Sequence, residues 1–132
     1  MPDSRGVVSL ASPHTFADTV QRLLSGFASH GIKVFATIDQ QAEARAVGLT
    51  MPPTTLIVFG NPKAGTPVML AQPRSGIDLP LKVLVSEAEP GEVSVSFNSA
   101  FYIVERHSLA AALASNLAPA ERLIAELVGH SL

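Results

Sequence analysis

Between residues 60 and 82 the chain gathers side chains that could do chemistry together: Asn61, Lys63, Thr66, Arg74, Asp78 and Lys82. The whole sequence has three lysines, and two of them, Lys63 and Lys82, flank this stretch with Arg74 between. Three cations against Asp78 give the stretch +2, leaving −4 for the rest of a chain whose net charge is −2. Cations on a tightly turned loop, beside the N-terminus of a helix, are the elements of an anion site. The plainer reading is that loop charges stay solvated and Asp78 caps a turn. Removing Lys63 or Lys82 separates the two, because only a built site loses affinity for an anionic ligand.

Other candidate groups carry less. Gly60-Asn61-Pro62-Lys63-Ala64-Gly65-Thr66-Pro67 has the two glycines of a phosphate-binding P-loop, spaced as in that motif and following an apolar strand. Thr66 stands where the phosphate-binding lysine belongs, and Pro67 where the magnesium-binding hydroxyl belongs. The groups that nucleotide hydrolysis needs are absent. Asp39 is either a general base at a strand end or the cap of the helix that follows, and the cap is the simpler role. Asn98 and Tyr102 could reach one pocket, though Asn98 also reads as an N-cap. The histidines lie at positions 14, 30, 107 and 130, with no metal-ligand spacing among them. No cysteine is present, and no serine sits in a Gly-x-Ser-x-Gly elbow, so neither a metal site nor a cofactor is expected.

Composition bounds what the chain can be. At 132 residues it is expected to form a single domain over 1–132, large enough to bury a core. Apolar residues make up 47% and charged residues 15%, with mean hydropathy +0.32. Soluble domains usually carry roughly 25% charge, so a homo-oligomer, most simply a two-fold dimer, is expected. Apolar runs stay well short of the roughly 18 residues that cross a bilayer, and the first residues lack the pattern of a signal peptide. A cytoplasmic protein with no membrane association is expected. Net charge −2 and a pI of about 6.0 argue against nucleic acid as partner.

The elements that must position the loop follow from periodicity. A strand is expected over 6–11. A helix follows, capped by Thr15, with Phe16, Val20, Leu23, Leu24 and Phe27 on one face and Gly31 just past its end. A second strand is expected over 32–39, and a short Ala-rich helix over 40–47. Strands at 54–59, from Pro80 onward, and at 93–97 alternate or run apolar. Glu89-Pro90-Gly91-Glu92 suits a type II turn joining the last two into a hairpin. Thr66 then Pro67 reads as N-cap and first residue of a short helix through 72. Helices are also expected over 100–107 and from Pro119 onward, with Leu109, Leu113 and Leu117 at fourfold spacing before it. The order is that of an α+β fold, an antiparallel sheet with helices packed on one face.

With Phe59 to Pro67 and then Gly76-Ile77-Asp78-Leu79-Pro80-Leu81-Lys82-Val83-Leu84-Val85 in view, the chain closely resembles domain-of-unknown-function family 302. The likeness runs from Thr15-Phe16-Ala17 through Ile38-Asp39 and Val47-Gly48-Leu49 to Phe101-Tyr102 and Arg106-His107. It implies a curved antiparallel sheet of TATA-binding-protein-like or helix-grip type, often dimeric, and no established activity. The chain departs from the pattern at Gln40, Ser86 and Ser99-Ala100. Relatives often carry His at the Gln40 position, so the departure weakens any acid–base or metal role for Asp39.

The leading functional reading is a non-enzymatic domain that binds a small anionic ligand through Asn61, Lys63, Thr66, Asp78 and Lys82, with Asp39 and Asn98 as further candidates. An assembly module whose loop serves a dimer is the alternative. An enzyme using Asp39 or Asp78 with a lysine comes third, for want of a legible nucleophile–base pair.

Overall fold

The computed structural model describes residues 2–130. Met1, Ser131 and Leu132, the extremes of the expected single domain, lie outside the described residues. In chain order the elements are β1 (Val7–Ser12), α1 (Phe16–Ser29), β2 (Lys33–Asp39), α2 (Gln40–Ala46), β3 (Thr54–Gly60), α3 (Pro62–Ala71), β4 (Leu81–Glu89), β5 (Glu92–Asn98), α4 (Ala100–Arg106) and α5 (Ala114–Leu127). Short 3-10 turns at Pro73–Ile77 and Ala111–Leu113 join α3 to β4 and α4 to α5.

Among the described residues the strands form one open antiparallel sheet in the order β1-β5-β4-β3-β2. Alternation decides which side is covered. Ile57, Phe59, Val83, Val85, Val95 and Phe97 turn inward and are buried, where they meet Leu23 and Phe27 of α1 and Ile124 of α5. The rings of Phe27 and Phe59 stack with centroids 4.3 Å apart. Leu56, Val58, Lys82, Leu84 and Ser96 occupy the alternate positions and are only half-buried. This is an α+β fold with its helices on one face, as the periodicity predicts.

Two glycines set close approaches. A Cβ on Gly26 of α1 would run into the side chain of Leu127, so α1 and α5 touch where no larger residue fits. Gly6 has φ +83° and backs directly onto the ring of Tyr102, so it serves both a left-handed turn and the packing of α4.

Several local expectations hold. Thr15 caps α1 by accepting from Asp18 N at 3.1 Å, and Gly31 follows the helix with φ +69°. Asp39 caps α2, accepting from Ala42 N at 2.9 Å. Three expectations are corrected. The helix expected to start at Thr66 starts one turn earlier, with Asn61 as N-cap and Pro62 in its first turn, leaving Thr66 and Pro67 in its interior. Ser99, not Asn98, caps α4, accepting from Tyr102 N at 3.0 Å. The last helix begins at Ala114, so Pro119 lies inside it.

Candidate functional site

The end of the sheet where β3 stops is not closed by the helices. Asn61 turns the chain from β3 into α3, and its side chain accepts from Lys63 N at 3.0 Å. Ala64 N and Gly65 N both bond to Asn61 O at 2.9 Å. Val68 anchors α3 by burying itself among Leu79, Ile103 and Leu117. From α5, Asn116 Nδ2 donates to Ala64 O at 3.1 Å. Between α3, the first turns of α5 and the ends of β2 and β3 lies a cleft of about 800 Å³.

Its walls are apolar. Phe35 and Phe59 come from the sheet, Met69 from α3, Leu81 from β4, and Leu117 and Leu123 from α5. Phe35 reaches the cleft because the β2–β3 register shifts between Val34 and Ala36, and it stays 45% exposed. The polar groups are Asn61, Lys63 and Thr66 along α3, Ser115 and Asn116 on α5, and His30 at the end of α1. Ser115 Oγ donates to Ala112 O at 2.8 Å. His30 Nδ1 meets Gly26 O at 2.8 Å, which leaves Nε2 for another partner. Among the described residues that line the cleft, none carries a carboxylate.

The sequence expects Asn61, Lys63, Thr66, Asp78 and Lys82 to converge, and the structure divides them. The first three line the cleft. Asp78 and Lys82 line a separate depression with Asn98 and Glu121, of about 10 Å³. Holding one water takes roughly 10–15 Å³, so that depression has no room for a larger ligand. Lys82 Nζ donates to Pro80 O at 3.0 Å. Glu121 Oε1 accepts from Ala100 N at 2.6 Å and so helps tie α5 to the start of α4. Asp39 remains with its helix cap at the last residue of β2 and does not line the cleft.

Asp78 has a partner that sequence reasoning missed. Its carboxylate takes Arg106 through both oxygens, at 3.0 and 3.2 Å, and His107 Nε2 at 2.6 Å. The Asp78 and His107 side chains are 11% and 9% exposed, so both are largely withdrawn from water. The clamp ties the 3-10 turn before β4 to the end of α4, and Leu79, Pro80 and Leu81, next along, form part of the cleft wall. Arg106-His107 was visible as a helix end, but no periodicity links it to a residue 28 positions earlier.

The architecture is that of a two-layer α+β domain with a lateral cleft. The chain belongs to the family described as Domain of unknown function DUF302, whose model matches residues 8–127. The fold is that of the crystal structure of an uncharacterized conserved DUF302 protein from Bacillus stearothermophilus, with TM-score 0.79 and 19% identity over 95% of this chain and 97% of that one. The chain is also similar to the fluoride-specific ion channel FluC 1 of Brucella suis biovar 1 (strain 1330), 39% identical over 104 residues. That match covers 79% of this chain and 41% of the channel. A fluoride-specific ion channel FluC 2 of Brucella melitensis biotype 1 matches equally, over 38% of its length. The chain thus spans about two fifths of these curated relatives. No helix of the described residues is long and apolar enough to cross a membrane.

Proposed function

We propose that this domain is a non-catalytic binding module that takes a small, negatively charged molecule in the cleft between α3 and α5. One observation carries the reading: an apolar cleft of about 800 Å³ with Lys63 on its rim and no carboxylate among the described residues of its lining. Small-molecule sites are commonly clefts of roughly 300–1,000 Å³ with apolar walls and a few placed polar groups. Asn61 and Thr66 stand beside Lys63 as further polar contacts. Asp78 and Lys82 are not among the residues that line the cleft. The names of the curated relatives bring fluoride forward as a ligand, yet a one-atom anion calls for a tight ring of donors, not apolar walls. A larger organic anion suits the cleft better.

The test is a thermal-shift and NMR titration against fluoride, phosphate and a panel of organic anions. An organic anion at about 100 times its Kd should stabilise the fold by about 2.7 kcal/mol, and Ala120→Trp, which fills the cleft, should abolish the effect. An unchanged Tm across the panel, or a shift that survives Ala120→Trp, overturns the reading.

A second reading, assembly as a homodimer without a ligand, is favoured by the uncovered face of the sheet. There Ile38, Leu56 and Leu84 are neighbours across three strands and none is fully buried.

A further inference from the structure

The class of ligand follows from what the cleft still offers, and the inference rests on the cleft being the binding site. We infer that it takes an amphipathic monoanion: an acyl or aryl body against the apolar walls, with one carboxylate-type head at Lys63.

The polar end supplies a single positive charge. The backbone donors at the start of α3 are already used. Lys63 N bonds to the Asn61 side chain, Ala64 N and Gly65 N bond to Asn61 O, and Pro62 has no N–H. A phosphate or polyanion wants several donors converging on three or more oxygens. Lys63 is the one lysine or arginine among the described lining residues, exposed and in no salt bridge among the described residues, with the Asn61 amide and the Thr66 hydroxyl beside it. One compact point charge matches one singly charged head.

The rest of the cleft is suited to a body without charge. Phe35 and Met69 keep 45% and 36% of their surface exposed in a wall that Ile32, Phe59, leucines and prolines complete. Covering them removes apolar surface from water, which favours binding in proportion to the area covered. A cationic amphiphile would find the same walls but no carboxylate among the described lining residues to receive its head.

Calorimetry with octanoate, 2-naphthoate, 1-octanol, octyltrimethylammonium and inorganic phosphate, each below any micellar concentration, reads the class directly. Amide shifts of Gly65 and Asn116 locate the site. Octanoate or 2-naphthoate should bind at least tenfold more tightly than octanol, and phosphate and the cationic amphiphile should not bind. Lys63→Gln should bring the carboxylate down to the octanol level while leaving octanol and the circular dichroism spectrum unchanged. Lys82→Gln should change neither affinity. Equal affinity for octanol and both carboxylates would overturn the monoanion assignment while leaving the cleft as the site. Phosphate binding with neither carboxylate bound would likewise overturn the class alone. Should no probe move Gly65 or Asn116, the cleft reading falls and the inference with it.

Discussion

At the scale of single residues, Asp78 shows how a charge can be misread from sequence. Beside Lys82 in a Gly- and Pro-rich loop it looks like one polar group of a ligand site. In the structure it receives Arg106 and His107 and is 11% exposed. Charge-assisted hydrogen bonds contribute about 1.5–3 kcal/mol each when shielded, and less where a partner such as Arg106 stays half-exposed. Asp78→Ala would leave His107 without its partner and should cost about 2 kcal/mol, or roughly 8 °C in Tm for a chain of this length. Thermal denaturation followed by circular dichroism measures this. Octanoate affinity, measured well below the melting temperature, should stay within about twofold, since ~0.4 kcal/mol is all that a twofold change represents. A stable Asp78→Ala protein with lost binding would reverse the assignment and return Asp78 to the site. Asp39 was the easier case: a cap needs only a neighbour three residues on, and local spacing reveals that much.

At the scale of elements, α3 shows where local signals compete. Asn61-Pro62 and Thr66-Pro67 each pair a capping residue with a proline, and either can open a helix. The earlier pair wins, since Val68 must reach the cluster of Leu79, Ile103 and Leu117 and α5 supplies Asn116 to Ala64 O. Pro67 then sits inside the helix and removes the donor for the carbonyl of Lys63. Lys63 is exposed, so water can take its place. Pro119 repeats the arrangement in α5 over the exposed Ser115. Tertiary packing made both choices, and no window of sequence contains it. The strands were legible as an apolar run of β-formers at 54–59 and, at 93–97, as the period of two that burial on one side writes into the sequence. The cleft was half legible: Asn61, Lys63 and Thr66 lie within one loop, whereas Phe35, Asn116 and Leu123 arrive from three other elements. Gly65 yields a prediction at this scale. It lies mid-helix with no atom within 4 Å of where a Cβ would stand. Gly65→Ala should stabilise by about 0.5–1 kcal/mol, the usual helical gain of alanine over glycine. A lower Tm for the variant would mean that α3 needs glycine's freedom to form the cleft wall.

At the scale of the whole molecule, the question is what covers the sheet's second face. Charged residues make up 15% of the chain, and several large apolar side chains stand in water, Val47, Leu49, Leu70, Ile77 and Phe101 among them at 66–78% exposure. These are scattered over helices and loops. The sheet face instead offers a continuous row, Ile38, Leu56 and Leu84, with Val58 and Ala36 in the next register position. β4 places two charges on this face, Lys82, whose ammonium is engaged by Pro80 O, and Glu89, which pairs with Glu92 near the hairpin turn and away from the row. The proposal that follows is a two-fold dimer that packs sheet on sheet, the same patch meeting itself. The β2 edge argues against continuation of the sheet there: Lys33 lies over the ring of Phe35 at 5.1 Å, beside the register shift that bends that edge. Light scattering on a size-exclusion column should therefore give twice the monomer mass at micromolar concentration. Leu84→Glu, at the β4 end of the row, should give a folded monomer, because two facing carboxylates would have to lose water without a partner. A wild-type monomer would dispose of the dimer. A Leu84→Glu dimer would move the contact off the sheet, to the exposed side chains of α3 and the turn that follows it.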